Sequence, residues 1–240
     1  IEELTSVIAM DSDFWKAYEL LGETYRSTNQ TELAETYYFK ATALNPQAIQ
    51  SWLGRGKVAL LRGEYQVTVL CFETYLRNKS KDSDVWSLLG HSYKELNNHS
   101  SAIDAYNVAI EIDPTNQLLY EELGDIYQII GREDIAQQKY LQGLQVEEVT
   151  RPLKKELYYK LAQIYLKDGK NQKAFNLCNE LLVLLKDDPE ATFLSGKALI
   201  YLGQRYDGIT RIKRAMAKDP KPEYEEFLLQ ADRDLYSSKK

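Results

Sequence analysis

The chain has 240 residues, 44% of them hydrophobic and 28% charged, which is long enough for one large core or a stack of small units. Thirty basic residues against 36 acidic ones give a net charge of −6, which argues against a phosphate-backbone binder. No apolar run reaches the length of a membrane span, so no insertion into a membrane is expected.

Helix formers dominate between short Gly, Asn and Asp turns, and no β-branched run alternates, so the chain is expected to be all helical. Residues 1–14 read as the end of a helical hairpin, with Leu4, Val7 and Asp11 standing where a later unit has Tyr106, Ala109 and Asp113. Residues 15–48 carry Tyr18-x-x-Leu21-Gly22-x-x-Tyr25, then Ala34, Tyr38, Ala41 and Pro46. Residues 49–82 keep Trp52, Gly56 and Phe72 but place Thr68 and Tyr75 where Ala is usual, so looser or reshaped packing is expected there. Residues 83–116 carry Trp86-x-x-Leu89-Gly90-x-x-Tyr93, then Ala102, Tyr106, Ala109 and Pro114. Residues 117–150 carry Tyr120-x-x-Leu123-Gly124-x-x-Tyr127, then Ala136, Tyr140 and Gly143. Four inserted residues, 151–154, include Pro152, which can start a helix but not sit inside one; a kink or altered step is expected between 147 and 155. Residues 155–188 resume with Ala162 in the glycine place and Leu181 for an alanine, and 189–222 continue with Gly196 and Gly208. Beyond Pro222, Phe227, Leu228, Ala231 and Leu235 keep helical spacing.

Gly22, Gly56, Gly90 and Gly124 are each 34 residues apart, as are Ala162 and Gly196 after the insertion. The period and the residues at its fixed places resemble the tetratricopeptide repeat (TPR) family. The resemblance implies an all-α, right-handed superhelical solenoid of six helix-turn-helix repeats, with 223–240 as a C-terminal capping helix and tail and 1–14 as the end of a truncated repeat. A chain that begins inside a hairpin is expected to be a piece of a longer TPR protein. Small residues should let paired helices approach, Gly22 with Ala34, Gly90 with Ala102, Gly124 with Ala136 and Ala162 with Ala174. Tyr25, Tyr93, Tyr127 and Tyr165, with Tyr38, Phe72, Tyr106 and Tyr140, should be packing pegs, which accounts for much of the tyrosine content without a stacking function.

In this family, partner segments contact the concave face built by the first helices. Carrying its positions over, the expected partner-binding residues are Leu53, Lys57, His91, Lys94, Glu121, Asp125, Gln128, Tyr159, Phe193 and Lys197. Two stretches stand out as exposed apolar residues bordered by charge: Leu53, Leu60 and Leu61 beside Lys57, His91 and Lys94, and Tyr159, Phe193 and Tyr201 beside Lys197. The basic cluster Arg211, Lys213, Arg214, Lys218 and Lys221 reads as a solvated face balanced by Glu223, Glu225 and Glu226.

Cys71 and Cys178 cannot form a disulfide framework and fall inside apolar helical patterns, where buried thiols are expected. With His91 and His99 as the two histidines, no zinc-type or catalytic constellation can be assembled, and no metal or cofactor is expected. An intracellular setting, cytoplasmic or nuclear, fits the cysteine usage. The function expected is a non-enzymatic scaffold that holds a protein or peptide segment, not nucleic acid, as a subunit of a larger complex. Two alternatives are a TPR co-chaperone and the partner-binding arm of an enzyme. The first is disfavoured because Glu19 and Glu23 stand where an acidic chaperone tail needs donors, and Gly54 stands where it needs Asn.

Overall fold

A computed structural model of the chain describes residues 1–146 and 151–237. Among them are fourteen helices and no strand. The helices are α1 (Glu2–Met10), α2 (Trp15–Ser27), α3 (Thr31–Leu44), α4 (Ile49–Leu61), α5 (Tyr65–Leu76), α6 (Ser83–Glu95), α7 (His99–Ile112), α8 (Gln117–Ile129), α9 (Glu133–Gln145), α10 (Arg151–Lys167), α11 (Asn171–Leu184), α12 (Pro189–Tyr201), α13 (Arg205–Lys218) and α14 (Pro222–Ser237). Two compact units divide the chain, Ile1–Ile126 and Tyr127–Lys240, with the boundary inside α8.

Each helix pair closes through the same turn. Asn29, Gly63, Asn97, Gly131, Gly169 and Gly203, all at the same place in the repeat, have φ between 56° and 83°. The next residue's N–H reaches back to the first helix, as in Glu64 to the Ala59 carbonyl at 2.9 Å and Gln204 to Leu199 at 2.9 Å. This is the Schellman closure, and it needs a residue that tolerates the left-handed region, hence Gly or Asn. A Cβ on Gly63 would meet nothing within 4 Å, so the constraint is conformational and not steric. Gly63→Val is therefore expected to cost about 1–2 kcal/mol in a urea titration, while Asn97→Gly changes stability little.

In three pairs the first-helix glycine, Gly22, Gly56 or Gly90, faces an aromatic ring. A Cβ on Gly22 would lie 2.8 Å from Tyr38, and one on Gly90 2.9 Å from Tyr106. The first atoms an added Cβ would meet at these glycines are thus those of the rings. Tyr38, Phe72, Tyr106 and Tyr140 are fully buried pegs. The Gly124–Ala136 pairing spans the two units and is not described.

At Tyr75 the packing is reshaped and not loosened. Tyr75 is buried with Phe72, Leu76, Val85 and Leu89, and its hydroxyl donates to Asp82 Oδ2 at 2.8 Å. Asp82 in turn caps α6 by accepting from the Val85 N–H at 3.1 Å. Burial, and then the Asp82 carboxylate, push the Tyr75 hydroxyl up to about 12.

α10 has 17 residues where α2, α4, α6, α8 and α12 have 13 each. The inserted residues 151–154 therefore lie within the helix as an extra turn at its start, with Pro152 as its second residue, where the missing N–H has no intrahelical partner to lose. The expected kink falls largely on residues 147–150, outside the described residues. Among the described residues, no helix is long and apolar enough to cross a membrane.

Candidate functional site

In the first unit, α2 and α4 present one side to a cleft of about 350 Å³, lined by Glu19, Leu20, Glu23, Arg26, Gln50, Leu53 and Lys57 above a floor of Tyr38 and Gly54. The 3.6-residue period puts Glu19, Glu23 and Arg26 on one face of α2, and Gln50, Leu53 and Lys57 on one face of α4. Tyr38 comes from α3 behind them, and its hydroxyl donates to Glu23 Oε2 at 2.7 Å. Arg26 forms an ion pair with the same carboxylate. Foremost the Arg26 hydrogen bond, aided by Tyr38 and the charge of Lys57, holds the Glu23 carboxyl below its ordinary range despite partial burial. Glu19 is buried at the base, accepting from Ser51 Oγ at 2.6 Å and pairing with Lys16. The cleft thus offers apolar surface from Leu20 and Leu53 between fixed charges of both signs.

Leu53 and Lys57 of the expected residues line this cleft; His91 and Lys94 do not. Leu53 is half-buried, and its packing extends with Leu60 into the Phe72–Leu89 cluster, while Leu61 is exposed. His91 meets the edge of Tyr65, with ring centroids 6.2 Å apart. Lys94 is ion-paired with Glu122, which also accepts from the Tyr106 hydroxyl at 3.4 Å. Glu121 and Asp125 are half-buried, each with interactions of its own. Gln128 is exposed and accepts from the Tyr140 hydroxyl at 2.9 Å. Leu20 and Glu122 were not anticipated. Both occupy the sixth place of their repeats, next to the fifth-place residues that were considered, and that place could have found them.

The second expected stretch is corrected. Phe193 and Tyr159 are only 7% and 9% exposed. Phe193 stacks on Tyr224 of α14 at 4.1 Å between ring centroids and meets the edge of Phe227 at 5.9 Å. Lys197 lies over Phe227 at 5.0 Å, and its burial lowers the pKa of the amine. The apolar side chains expected to hold a partner are instead the seat of the chain's own last helix. Beside them lies a polar cleft of about 410 Å³ lined by Lys155, Glu156, Gln163, Glu190 and Lys221, with Tyr159 and Asp188 at its wall. There Lys221 pairs with Glu190 at 2.8 Å, and the Tyr224 hydroxyl donates to the same carboxylate at 2.8 Å.

The basic cluster on α13 is also balanced differently from expectation. Arg214 and Lys218 pair with Asp187 of the α11–α12 turn, the latter at 3.1 Å, while of the expected acidic partners Glu223 meets Lys221 at 4.0 Å. Arg211 donates to Asn179 at 2.9 Å and Ser195 at 3.0 Å and lies over Phe175. The two thiols are buried, and burial pushes each up to about 12, which makes them poor nucleophiles near neutral pH.

Two segments match family models, residues 16–48 that of the tetratricopeptide repeat and residues 90–131 that of the TPR repeat. The general transcriptional corepressor ssn6 of Schizosaccharomyces pombe is 24% identical over 61% of the chain, and superkiller complex protein 3 of Mus musculus is 28% identical over 67%. The chain spans only 13% and 9% of these two relatives' lengths. The crystal structure of YrrB, a TPR protein with an unusual peptide-binding site, superposes with a TM-score of 0.64 at 20% identity, over 78% of this chain and 95% of that one. The recurring turn, the aromatic ring over Gly22, Gly56 and Gly90 and the matched segments agree: the chain contains tetratricopeptide repeats.

Proposed function

We propose that the chain is a non-catalytic interaction scaffold that holds an extended segment of a partner protein in the α2/α4 cleft. The observation that carries this reading is the cleft itself: apolar surface from Leu20 and Leu53, a side-chain amide from Gln50, and positioned charges from Glu23, Arg26 and Lys57. An apolar side chain of the segment would sit on Leu20 and Leu53, while Gln50 bonds its backbone and the charges fix its direction. Membership of a larger assembly is supported by superkiller complex protein 3, whose name places it with a complex. A nuclear or cytoplasmic place is in keeping with a relative named as a transcriptional corepressor.

The chaperone-tail alternative is further disfavoured at position 54. A side chain there would run into the Tyr38 ring, so the asparagine that such a clamp needs has no room. The fixed carboxylates Glu19 and Glu23 would also repel an acidic tail.

The test starts from a partner recovered from cell extract on the immobilised chain and identified by mass spectrometry. Lys57→Glu and Gln50→Ala, both on the cleft wall, are expected to weaken that partner about tenfold with melting unchanged. Lys213→Glu on α13 should leave binding intact. Loss of binding in Lys213→Glu with retention in Lys57→Glu would place the partner elsewhere.

A further inference from the structure

A second cleft in the first unit, of about 490 Å³, opens on the side of the second helices, away from the α2/α4 groove residues. Its lining includes Glu73 of α5 and Arg77 just after it, Trp86, Leu89 and Tyr93 of α6, and Asp104 of α7. The Trp86 indole is fixed, since its Nε1–H donates to the Ser80 carbonyl at 2.8 Å. Tyr93 is fixed through its hydroxyl, which donates to Glu73. Among the described residues, neither Glu73 nor Asp104 forms an ion pair.

One repeat earlier, the corresponding place is filled. Arg55, which stands where Leu89 stands in the next repeat, lays its guanidinium carbon 4.8 Å from the Phe39 ring centre and 5.9 Å from Trp52. Its Nε donates to Glu35 Oε1 at 2.9 Å, and its side chain is only 13% exposed. Trp52 and Trp86 occupy the same place in their repeats. Glu73 stands where Phe39 stands, one helical turn beyond the place of Glu35, so the carboxylate is present in both repeats. In the second, Arg77 stands exposed at the cleft edge, and among the described residues no guanidinium is laid over Trp86 as Arg55 is beside Trp52. In the second unit, Arg211 lies over Phe175 at 5.1 Å in a related arrangement between second helices.

We propose that the α5–α6–α7 cleft is a receptor for an arginine side chain supplied by a basic segment of a partner protein. A guanidinium stacks on a tryptophan face while its N–H groups meet carboxylates, which is the arrangement Arg55 already makes inside the chain. The charge of this half favours such a partner, since residues 1–120 hold 16 acidic against 10 basic residues. This surface is separate from the α2/α4 cleft and does not depend on the reading given for it.

The probe is an acetylated and amidated pentapeptide, Gly-Ser-Arg-Ser-Gly, titrated into the isotope-labelled chain by NMR. The Trp86 indole N–H and the Ala105 amide are expected to shift saturably, with Trp52 nearly still. The same peptide with citrulline, which keeps the shape and loses the charge, should bind at least tenfold more weakly. Glu73→Gln with Asp104→Asn should weaken the arginine peptide about tenfold, and Leu89→Arg should abolish the response by filling the cleft from within. Should Leu89→Arg fail to fold, Asp104→Asn alone, on an exposed side chain, decides: it must weaken the arginine peptide and not the citrulline one. Lys57→Glu should change nothing here. Equal binding of the citrulline peptide, shifts confined to the α2/α4 cleft, or no saturable shift at millimolar peptide would overturn the proposal.

Discussion

Asp188→Ala is expected to destabilise the Tyr127–Lys240 unit by about 3 kcal/mol, more than any single surface change in the chain. Asp188 accepts from the Ala191 N–H at 2.9 Å as the N-cap of α12, accepts from the buried Tyr159 hydroxyl, and pairs with Lys155 at 2.9 Å. Loss of a cap alone costs about 1 kcal/mol, and a buried hydroxyl left without its acceptor adds about 1–3 kcal/mol. Burial works against the charge on Asp188, but the Ala191 N–H, Tyr159 and Lys155 outweigh it and hold the carboxyl below its ordinary range. A carboxyl depressed in the folded state contributes stability that is present above its unfolded pKa, near 3.9, and is lost as pH falls through the folded value. Urea titrations followed by circular dichroism at neutral pH and in acid should therefore show the Asp188→Ala penalty shrinking as pH drops. Asp188→Asn keeps an oxygen for the cap and should lose roughly half as much. A penalty independent of pH would mean that the charge of Asp188 is not what the unit uses.

The repeat was legible because it is written in local spacing. The helices, the Gly or Asn turns and the pegs Tyr38, Phe72, Tyr106 and Tyr140 all follow from one 34-residue period. What was not legible lies in which neighbour claims a side chain. Phe193 has the pattern of a groove anchor, yet it is taken by Tyr224 and Phe227 from a helix outside the repeats. Lys94 has the place of a ligand-binding cation, yet Glu122 holds it from 28 residues away. Arg55 carries no local sign that it is enclosed by Phe39, Trp52 and Glu35. Position-by-position transfer from a family finds the face but cannot tell an occupied side chain from an available one. That depends on hydrogen bonds and stacking between helices, which spacing within one helix does not encode.

Gly196→Ala is expected to destabilise the same unit by about 2–3 kcal/mol, although Gly→Ala inside a helix ordinarily stabilises it by about 0.5–1 kcal/mol. The sign reverses because α12 and α13 touch through their backbones. A Cβ on Gly196 would lie 2.8 Å from the Gly208 carbonyl oxygen and 2.8 Å from Ile212 Cγ1. One on Gly208 would lie 2.6 Å from the Gly196 carbonyl oxygen and 3.0 Å from the Ile200 nitrogen. Elsewhere the obstacle is a ring, Tyr38 at Gly22 or Tyr106 at Gly90; here it includes the main chain, which cannot rotate away. The helices must separate, and Ile212, fully buried, loses contacts when they do. Since both substitutions demand the same separation, their effects should not add. Once Gly208→Ala has moved the helices apart, adding Gly196→Ala should cost at least 1 kcal/mol less than it does alone. The separation would also reach the polar cleft, because Glu190 on α12 is bonded to Lys221 and Tyr224 beyond the end of α13. Urea titrations of the two single variants and the double variant measure the coupling. Additive losses, or a Gly196→Ala chain more stable than the parent, would show that the two backbones do not meet at these glycines.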